Sequence, residues 1–295
     1  MKIKKAVIAV AGYGTRFLPA TKVVPKELLS IVDKPVIQYL VEEAAASGIE
    51  DIILVVREGT QTIADHFDTT RALEVHLQEN GKEALLARVR AISELANFAL
   101  VRQTARLPYG NGSPILAARR FIGNEPFAYM FGDDLVLSKT PCVRQLTQLF
   151  EEHGPAAVVA AQSVPRAEIN RYGAIALKPG RQPLELESVV EKPDPEHAPS
   201  TLAQLGRFVL SPKVVDLLLQ AKVGRGEELY LTPAIHQLSK NDRVLVHEIE
   251  GTWHTTGDPL RFMKANVEYM LNSPEFGSDF AAHLRDLAQQ GLLNR

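Results

Sequence analysis

The sequence predicts an α/β protein built on a mostly parallel sheet with helices on both faces. Three observations carry this expectation. Apolar runs of strand type, at 3–10, 51–56, 98–101 and 127–131, alternate with helical segments through the first half. A glycine turn, Gly12-Tyr13-Gly14, directly follows the first run, which is where such sheets receive phosphates. From residue 156 onward strand-like segments follow one another closely, so extra strands are expected on one side of the sheet.

Each element has a local reason. Residues 35–47 read as a helix, with Pro35 suited to the first turn, Ile37, Leu40, Val41 and Ala44 on one face, and Gly48 as the stop. The run DIILVV at 51–56 is apolar throughout, as a strand covered on both faces requires. Short and charged helices are expected at 60–67 and 71–95, the second broken near Asn80-Gly81. Ser113 is expected to cap the next helix, with Pro114 in its first turn. Another helix is expected at 141–152. Strands at 156–164, 173–177, 186–190, 205–210 and 244–249 follow, some separated by Pro179-Gly180 and Pro193-Asp194-Pro195. Helices at 212–221, 232–239 and 260–271, and an amphipathic tail from 275, complete the chain. The class is therefore Rossmann-like, with extra strands and C-terminal helices.

The totals exclude several functions. With 295 residues the chain can form one large domain or two smaller ones. A net charge of −2 leaves no basic excess for nucleic acid, although a basic pocket for one nucleotide is compatible with it. Cys142 is the single cysteine, which rules out an intrachain disulfide and a cysteine metal cluster. No apolar run approaches the roughly 20 residues of a membrane helix. The start, MKIKKAVIAVAGYG, reads as a strand, because its apolar run is short and leads into a glycine turn and Arg16. A cytoplasmic enzyme is expected.

The glycine turn opens the string GYGTRFLPATKVVPKELL at 12–29. Phe17 stands where a dinucleotide fingerprint needs its third glycine, and no Gly-Lys-Ser/Thr follows. A nicotinamide dehydrogenase and a Walker A loop are both disfavoured. What is present is a close-approach turn, the Thr15 hydroxyl, and three cations, Arg16, Lys22 and Lys26, suited to a polyphosphate. Gln103 offers an amide that can accept from N3–H of uracil and donate to O4, while a flipped amide serves cytosine equally well. Phe131-Gly132-Asp133-Asp134 puts carboxylates at the end of a strand, where Mg²⁺ finds oxygen ligands. Val190-Glu191-Lys192-Pro193 puts a Glu-Lys pair at another strand end, which as an exposed pair contributes almost nothing to stability.

The long string resembles the signature of sugar-nucleotide pyrophosphorylases, and most closely that of bacterial UTP–glucose-1-phosphate uridylyltransferases. SIVDKPVIQYLVEEAAASGI, IADHFD and weaker matches to about Met270 extend the resemblance over most of the chain. It implies that Arg16 and Lys26 bind the triphosphate, and that Ala11, Gly12, Gly14 and Thr15 line the nucleotide site with Gln103 and Gly110 on the base. It implies Asp133 as a metal ligand for Mg²⁺. It puts Lys192 on the phosphate of glucose 1-phosphate and Glu191 on sugar hydroxyls, with Gly173 and Gly206 letting backbone meet the hexose. Arg16, Lys26 and Lys192 are then the catalytic cations. The implied halves are a nucleotide half at about 1–155 and a sugar half at about 156–272, followed by a helical tail at 273–295.

Two departures from the family pattern stand out. The loop Leu107-Pro-Tyr-Gly-Asn-Gly-Ser-Pro114 is unlike the usual Gly-Leu-Gly-His. Thr255, in Trp253-His254-Thr255-Thr256-Gly257-Asp258, stands where the family carries an aspartate that is a second metal ligand. Asp258 or His254 are the candidates to compensate, or the nucleotide's own phosphates hold the metal beside Asp133. The implied reaction makes UDP-glucose and pyrophosphate from UTP and glucose 1-phosphate, without nucleic acid or membrane, in a homodimer or homotetramer. The alternatives are another nucleoside triphosphate or hexose phosphate, and a weakly catalytic regulatory paralogue.

Overall fold

The computed structural model describes residues 2–224 and 226–292. Residue 1 and the last three residues, which the expected nucleotide half and tail include, lie outside the described residues. Strand β1 (Lys5–Val10) leads through short 3-10 turns to the hairpin of β2 (Ser30–Ile31) and β3 (Lys34–Pro35) and then to α1 (Val36–Ala46). There follow β4 (Asp51–Val56), α2 (Gln61–Asp65), α3 (Arg71–Glu79), α4 (Glu83–Ser93), β5 (Asn97–Arg102) and α5 (Ser113–Ile122). Next come β6 (Phe127–Phe131), β7 (Asp134–Leu137), α6 (Cys142–His153), β8 (Ala157–Ser163), β9 (Gly173–Leu177) and β10 (Leu186–Glu191). The chain continues through β11 (Leu202–Leu210), α7 (Lys213–Gln220), α8 (Leu231–Asn241), β12 (Val244–Glu248), β13 (Thr252–Thr255), α9 (Pro259–Leu271) and α10 (Gly277–Gln289).

Nine of the strands form one sheet in the order β10-β9-β11-β6-β1-β4-β5, with β8 joined to β11 and β12 joined to β8. Strands β5, β4, β1 and β6 are mutually parallel, as the strand–helix alternation predicts. Their side chains alternate between two cores. Ile52, Leu54 and Val56 of β4 join α1 and α6 on one face, whereas Ile53 and Val55 join α5 and α8 on the other. This period of two explains why the run is apolar at every position.

Strand β11 lies antiparallel to β6, β8 and β9. Its register against β8 breaks between Gln204 and Phe208. The residues before the break pair with β9 and those after it with β6. A bulge of this kind bends a strand, and here it opens the sheet at Leu205-Gly206-Arg207. The division at 155–156 thus falls within a chain whose two halves share one sheet.

Several local expectations are corrected. Ser113 does not cap its helix: Gly112 holds the cap position, and Ser113 Oγ donates to Pro108 O at 2.5 Å. Helix α1 begins at Val36, with Pro35 one residue outside it. The pairs β2–β3 and β7–β13 were not anticipated. Two- and four-residue strands carry too little pattern to be read from sequence. The break at Asn80-Gly81 is present between α3 and α4, with Gly81 at φ 65°. Among the described residues, no helix is long and apolar enough to cross a membrane.

Candidate active site

Two adjoining cavities open at the C-terminal ends of β1 and β6. One, of about 290 Å³, is lined by Ala11, Gly12, Lys26, Gln103, Gly110 and Tyr230 among others. The other, of about 320 Å³, is lined by Arg16, Gly173, Glu191, Gly206, Trp253 and Thr255 among others. Asn111, Phe131, Asp133 and Lys192 line both. Side chains from distant segments, the 12–29 loop and the end of β10, therefore meet across one cleft.

At its centre Lys26 Nζ lies 2.6 Å from Asp133 Oδ2. Burial by itself would lower the Lys26 pKa, but the charges of Asp133 and Glu27 raise it above the usual lysine value. Burial likewise works to raise Asp133, and the Lys26 ammonium outweighs it and holds the carboxyl below the ordinary range. Both partners are thus charged at neutral pH. Gly14, at φ 64°, turns the chain into the 3-10 turn carrying Arg16. Arg16 Nη1, Asp133 Oδ2 and Thr255 Oγ1 all surround the Cα of Gly257, within 4 Å of where a side chain would begin. Thr15 and Gly14, expected at the nucleotide, line neither cavity.

Glu191 ends β10 and is held by a hydrogen bond from Thr232 Oγ1 at 2.5 Å. Lys192 follows in the left-handed region at φ 45°, a strained conformation for a residue with a side chain. Its amide donates to Tyr172 O at 2.9 Å, which fixes that turn. Gly206 sits in the β11 bulge, where a Cβ would fall 2.4 Å from Asp134 Oδ2. Its bare amide instead donates to that oxygen at 2.9 Å.

Sequence reasoning missed several cleft residues. Glu27 lines the first cavity, is 2% exposed, and has neither carboxylate oxygen hydrogen bonded. Burial pushes its pKa up to about 7 against the pull of Lys26. Asp134, already named with Asp133 at the strand end, is buried and pushed up to about 6, first by burial and then by the charge of Asp133. Asn111 accepts from Leu231 N at 2.7 Å and holds the loop at 107–112, which would contact the base, to the start of α8. Tyr172 packs edge-on against Trp253 at 4.8 Å, an aromatic wall for the second cavity. The one available signal was Glu27 itself, a carboxylate placed beside a lysine in an otherwise cationic string.

Asp258 does not reach the cleft. It caps α9 by accepting from Arg261 N, and its other oxygen is 3.0 Å from both Arg171 Nη2 and Arg261 Nη1. His254 faces away too, with Nε2 3.3 Å from Glu268. The expected compensation for Thr255 by either residue is therefore corrected. Among the described residues no group of three or more His, Cys, Asp or Glu side chains could hold a metal.

A mostly parallel sheet whose strand ends carry a cationic glycine loop, beside a carboxylate and a second lysine from an added β-sheet arm, defines a protein built to move phosphorylated groups. The chain belongs to the nucleotidyl transferase family, whose model matches residues 5–271. It is 46% identical over 288 residues to the UTP–glucose-1-phosphate uridylyltransferase of Staphylococcus epidermidis, covering 97% of this chain and 99% of that protein. Among solved structures it is similar to a UTP-bound UGPase from Acinetobacter baumannii, at 34% identity and a TM-score of 0.88, covering 97% of this chain and 99% of that one. A UDP-glucose pyrophosphorylase complexed with UDP-glucose superimposes at a TM-score of 0.82 and 36% identity, covering 92% of this chain and all of that one. Nucleotidyl transferases of this family generally use a divalent metal.

Proposed function

We propose that the protein joins UTP to glucose 1-phosphate, forming UDP-glucose and pyrophosphate. The observation that carries this reading is the shared boundary of the two cavities, where Lys192 and Asp133 line both. The similar proteins supply the substrates, since one is named for this reaction and others were solved with UTP and UDP-glucose.

In this reading the nucleotide occupies the first cavity, with Gln103 and Gly110 on the base and Ala11 and Gly12 beneath it. Glu27, buried with no hydrogen bond to its carboxylate oxygens, accepts from a ribose hydroxyl. Glucose 1-phosphate occupies the second cavity, with Glu191 on hydroxyls, the backbone of Gly173 and Gly206 against the ring, and Lys192 on the phosphate. A phosphate oxygen of the sugar attacks the α-phosphorus in line with the leaving pyrophosphate. No side-chain base is required, because the attacking oxygen is already anionic. Arg16, Lys26 and Lys192 align the reactants and neutralise charge on the transferring group.

The metal in this reading is Mg²⁺. Asp133 lines both cavities and would hold it, and its neighbour Thr255 is neutral. That donor set suits an ion held mainly by phosphates and water, as Mg²⁺ commonly is. When bound, Mg²⁺ supplies charge neutralisation on the triphosphate. In this reading the enzyme is cytoplasmic. A homodimer or homotetramer is supported by apolar side chains exposed along α9 and beyond it, Leu260, Met263, Leu271 and Phe276.

Pyrophosphate release across a panel of nucleoside triphosphates and hexose phosphates with Mg²⁺ tests the reading. Preference for UTP with glucose 1-phosphate supports it, and preference for another pair overturns the substrate assignment. Thr255 favours a second reading, a weakly catalytic regulatory copy, which release at background rates for every pair would support.

A further inference from the structure

The segment entering α8 touches both sides of the cleft. Leu229 N donates to Tyr109 O at 2.7 Å, and Gly112 N donates back to Leu229 O at 2.8 Å. Gly110 lies so close that a Cβ there would meet Leu229 O at 2.4 Å. With the bond from Leu231 N to Asn111 Oδ1, these contacts fasten the segment to the base loop. On the other side, the Tyr230 hydroxyl accepts from Lys192 Nζ at 3.3 Å, and the same ammonium lies 4.7 Å from the centre of the Tyr230 ring. Two residues further on, Thr232 Oγ1 donates to Glu191 and accepts from Gln204 Nε2 at 3.0 Å.

Lys192 is a side chain that needs such support. It is about half exposed (47%), and the carboxylate of Glu191 is 3.8 Å from it. An exposed ion pair at that distance restrains a lysine weakly, and the long stem loses much rotamer freedom when fixed. The left-handed backbone at Lys192 and its bond to Tyr172 O set the direction of the stem. They leave the head free to swing. A phenol ring with its hydroxyl beside the ammonium adds a cation–π contact and a charge-assisted hydrogen bond.

We propose that Tyr230 is a positioning residue, which holds the Lys192 ammonium at the boundary of the two cavities from an anchor on the base loop. The inference rests on the nucleotidyl-transfer reading for the identity of the substrates, and on the geometry alone for the contact itself.

Two measurements test it. Steady-state kinetics and calorimetric UTP binding compare wild type, Tyr230→Phe, Tyr230→Ala, Lys192→Ala and the Tyr230→Ala/Lys192→Ala pair. Tyr230→Ala is expected to raise KM for glucose 1-phosphate about tenfold, and Tyr230→Phe about threefold, as loss of both contacts or of one implies. Kd for UTP rises by less than KM for glucose 1-phosphate, and Tyr230→Ala adds nothing once Lys192 is gone, the mark of coupled residues. An unchanged KM, or losses that simply add in the double variant, overturns the proposal. Independently of turnover, the ¹³C-dimethyl resonance of Lys192 after reductive methylation, assigned with Lys192→Arg, is expected upfield. It should stay so in Tyr230→Phe and move to the free-lysine position in Tyr230→Ala. A resonance indifferent to Tyr230→Ala overturns the proposal. A wild type that releases no pyrophosphate removes the proposed reaction, and the resonance still decides the contact.

Discussion

Lys26 Nζ and Asp133 Oδ2, 107 residues apart in the chain, lie 2.6 Å from each other at the meeting point of the two cavities. The pair puts one fixed positive and one fixed negative charge where a triphosphate and its metal would sit. Lys26→Met is expected to lower kcat/KM on the order of 100-fold to 1000-fold, as loss of one preorganised charge does elsewhere. Pyrophosphate release measures it, and a loss under threefold would remove Lys26 from the chemistry.

Lys192 has a different expected signature. It lines both cavities but carries no strong ion pair. Lys192→Ala should cut turnover sharply while calorimetry still finds UTP bound near the wild-type Kd.

Glu27 makes the apo protein pH-sensitive. Its pKa rises from 4.5 to about 7 on folding, because burial disfavours the carboxylate more than Lys26 favours it. The folded state therefore holds the proton more tightly than the unfolded chain. The stability this contributes is fully present below about pH 4.5 and is lost as pH rises through about 7. The shift corresponds to something on the order of 3 kcal/mol. Thermal melts of Glu27→Gln should lack this decline between pH 5 and 8, and the variant should bind UTP more weakly. A wild-type melting profile identical in shape to that of Glu27→Gln would contradict the account.

Thr255 offers a gain-of-function test. It faces Asp133 and Arg16 around Gly257, so Thr255→Asp sets a second carboxylate beside the first. The variant is expected to bind Mn²⁺ without nucleotide, seen by EPR, and to half-saturate with Mg²⁺ at about a tenth of the wild-type concentration, since added ligand charge tightens such sites. No change in either readout would show that the hydroxyl is not beside the metal.

Arg207 supports the cleft from below. It is fully buried, bonds both oxygens of Glu43, and donates to Gly206 O at 3.0 Å and Asp134 O at 2.6 Å. Arg207→Met leaves the mostly buried Glu43 with its charge partner gone and should cost about 3–5 kcal/mol in urea unfolding. Arg207→Met with Glu43→Leu should recover part of that loss. Equal melting of both variants would argue against a desolvated pair.

The β1, β4, β5 and β6 ladder, the helices between them and the cationic string at 12–29 were legible in the chain, because a strand buried on both faces and a helix with one apolar stripe each leave a periodic local mark. That Gln103, Asp133, Glu191 and Lys192 line the cavities was legible for a related reason, since each follows or ends an apolar strand and resembles a family motif. What those residues face was not. The partner of Lys26, the orphaned oxygens of Glu27, the diversion of Asp258 to Arg171, and the seat of Lys192 on Tyr230 are all contacts across more than thirty positions or states of burial. They depend on how distant segments pack around the sheet. Periodicity records which way a side chain points from its own element, while the charge that meets it is set by packing.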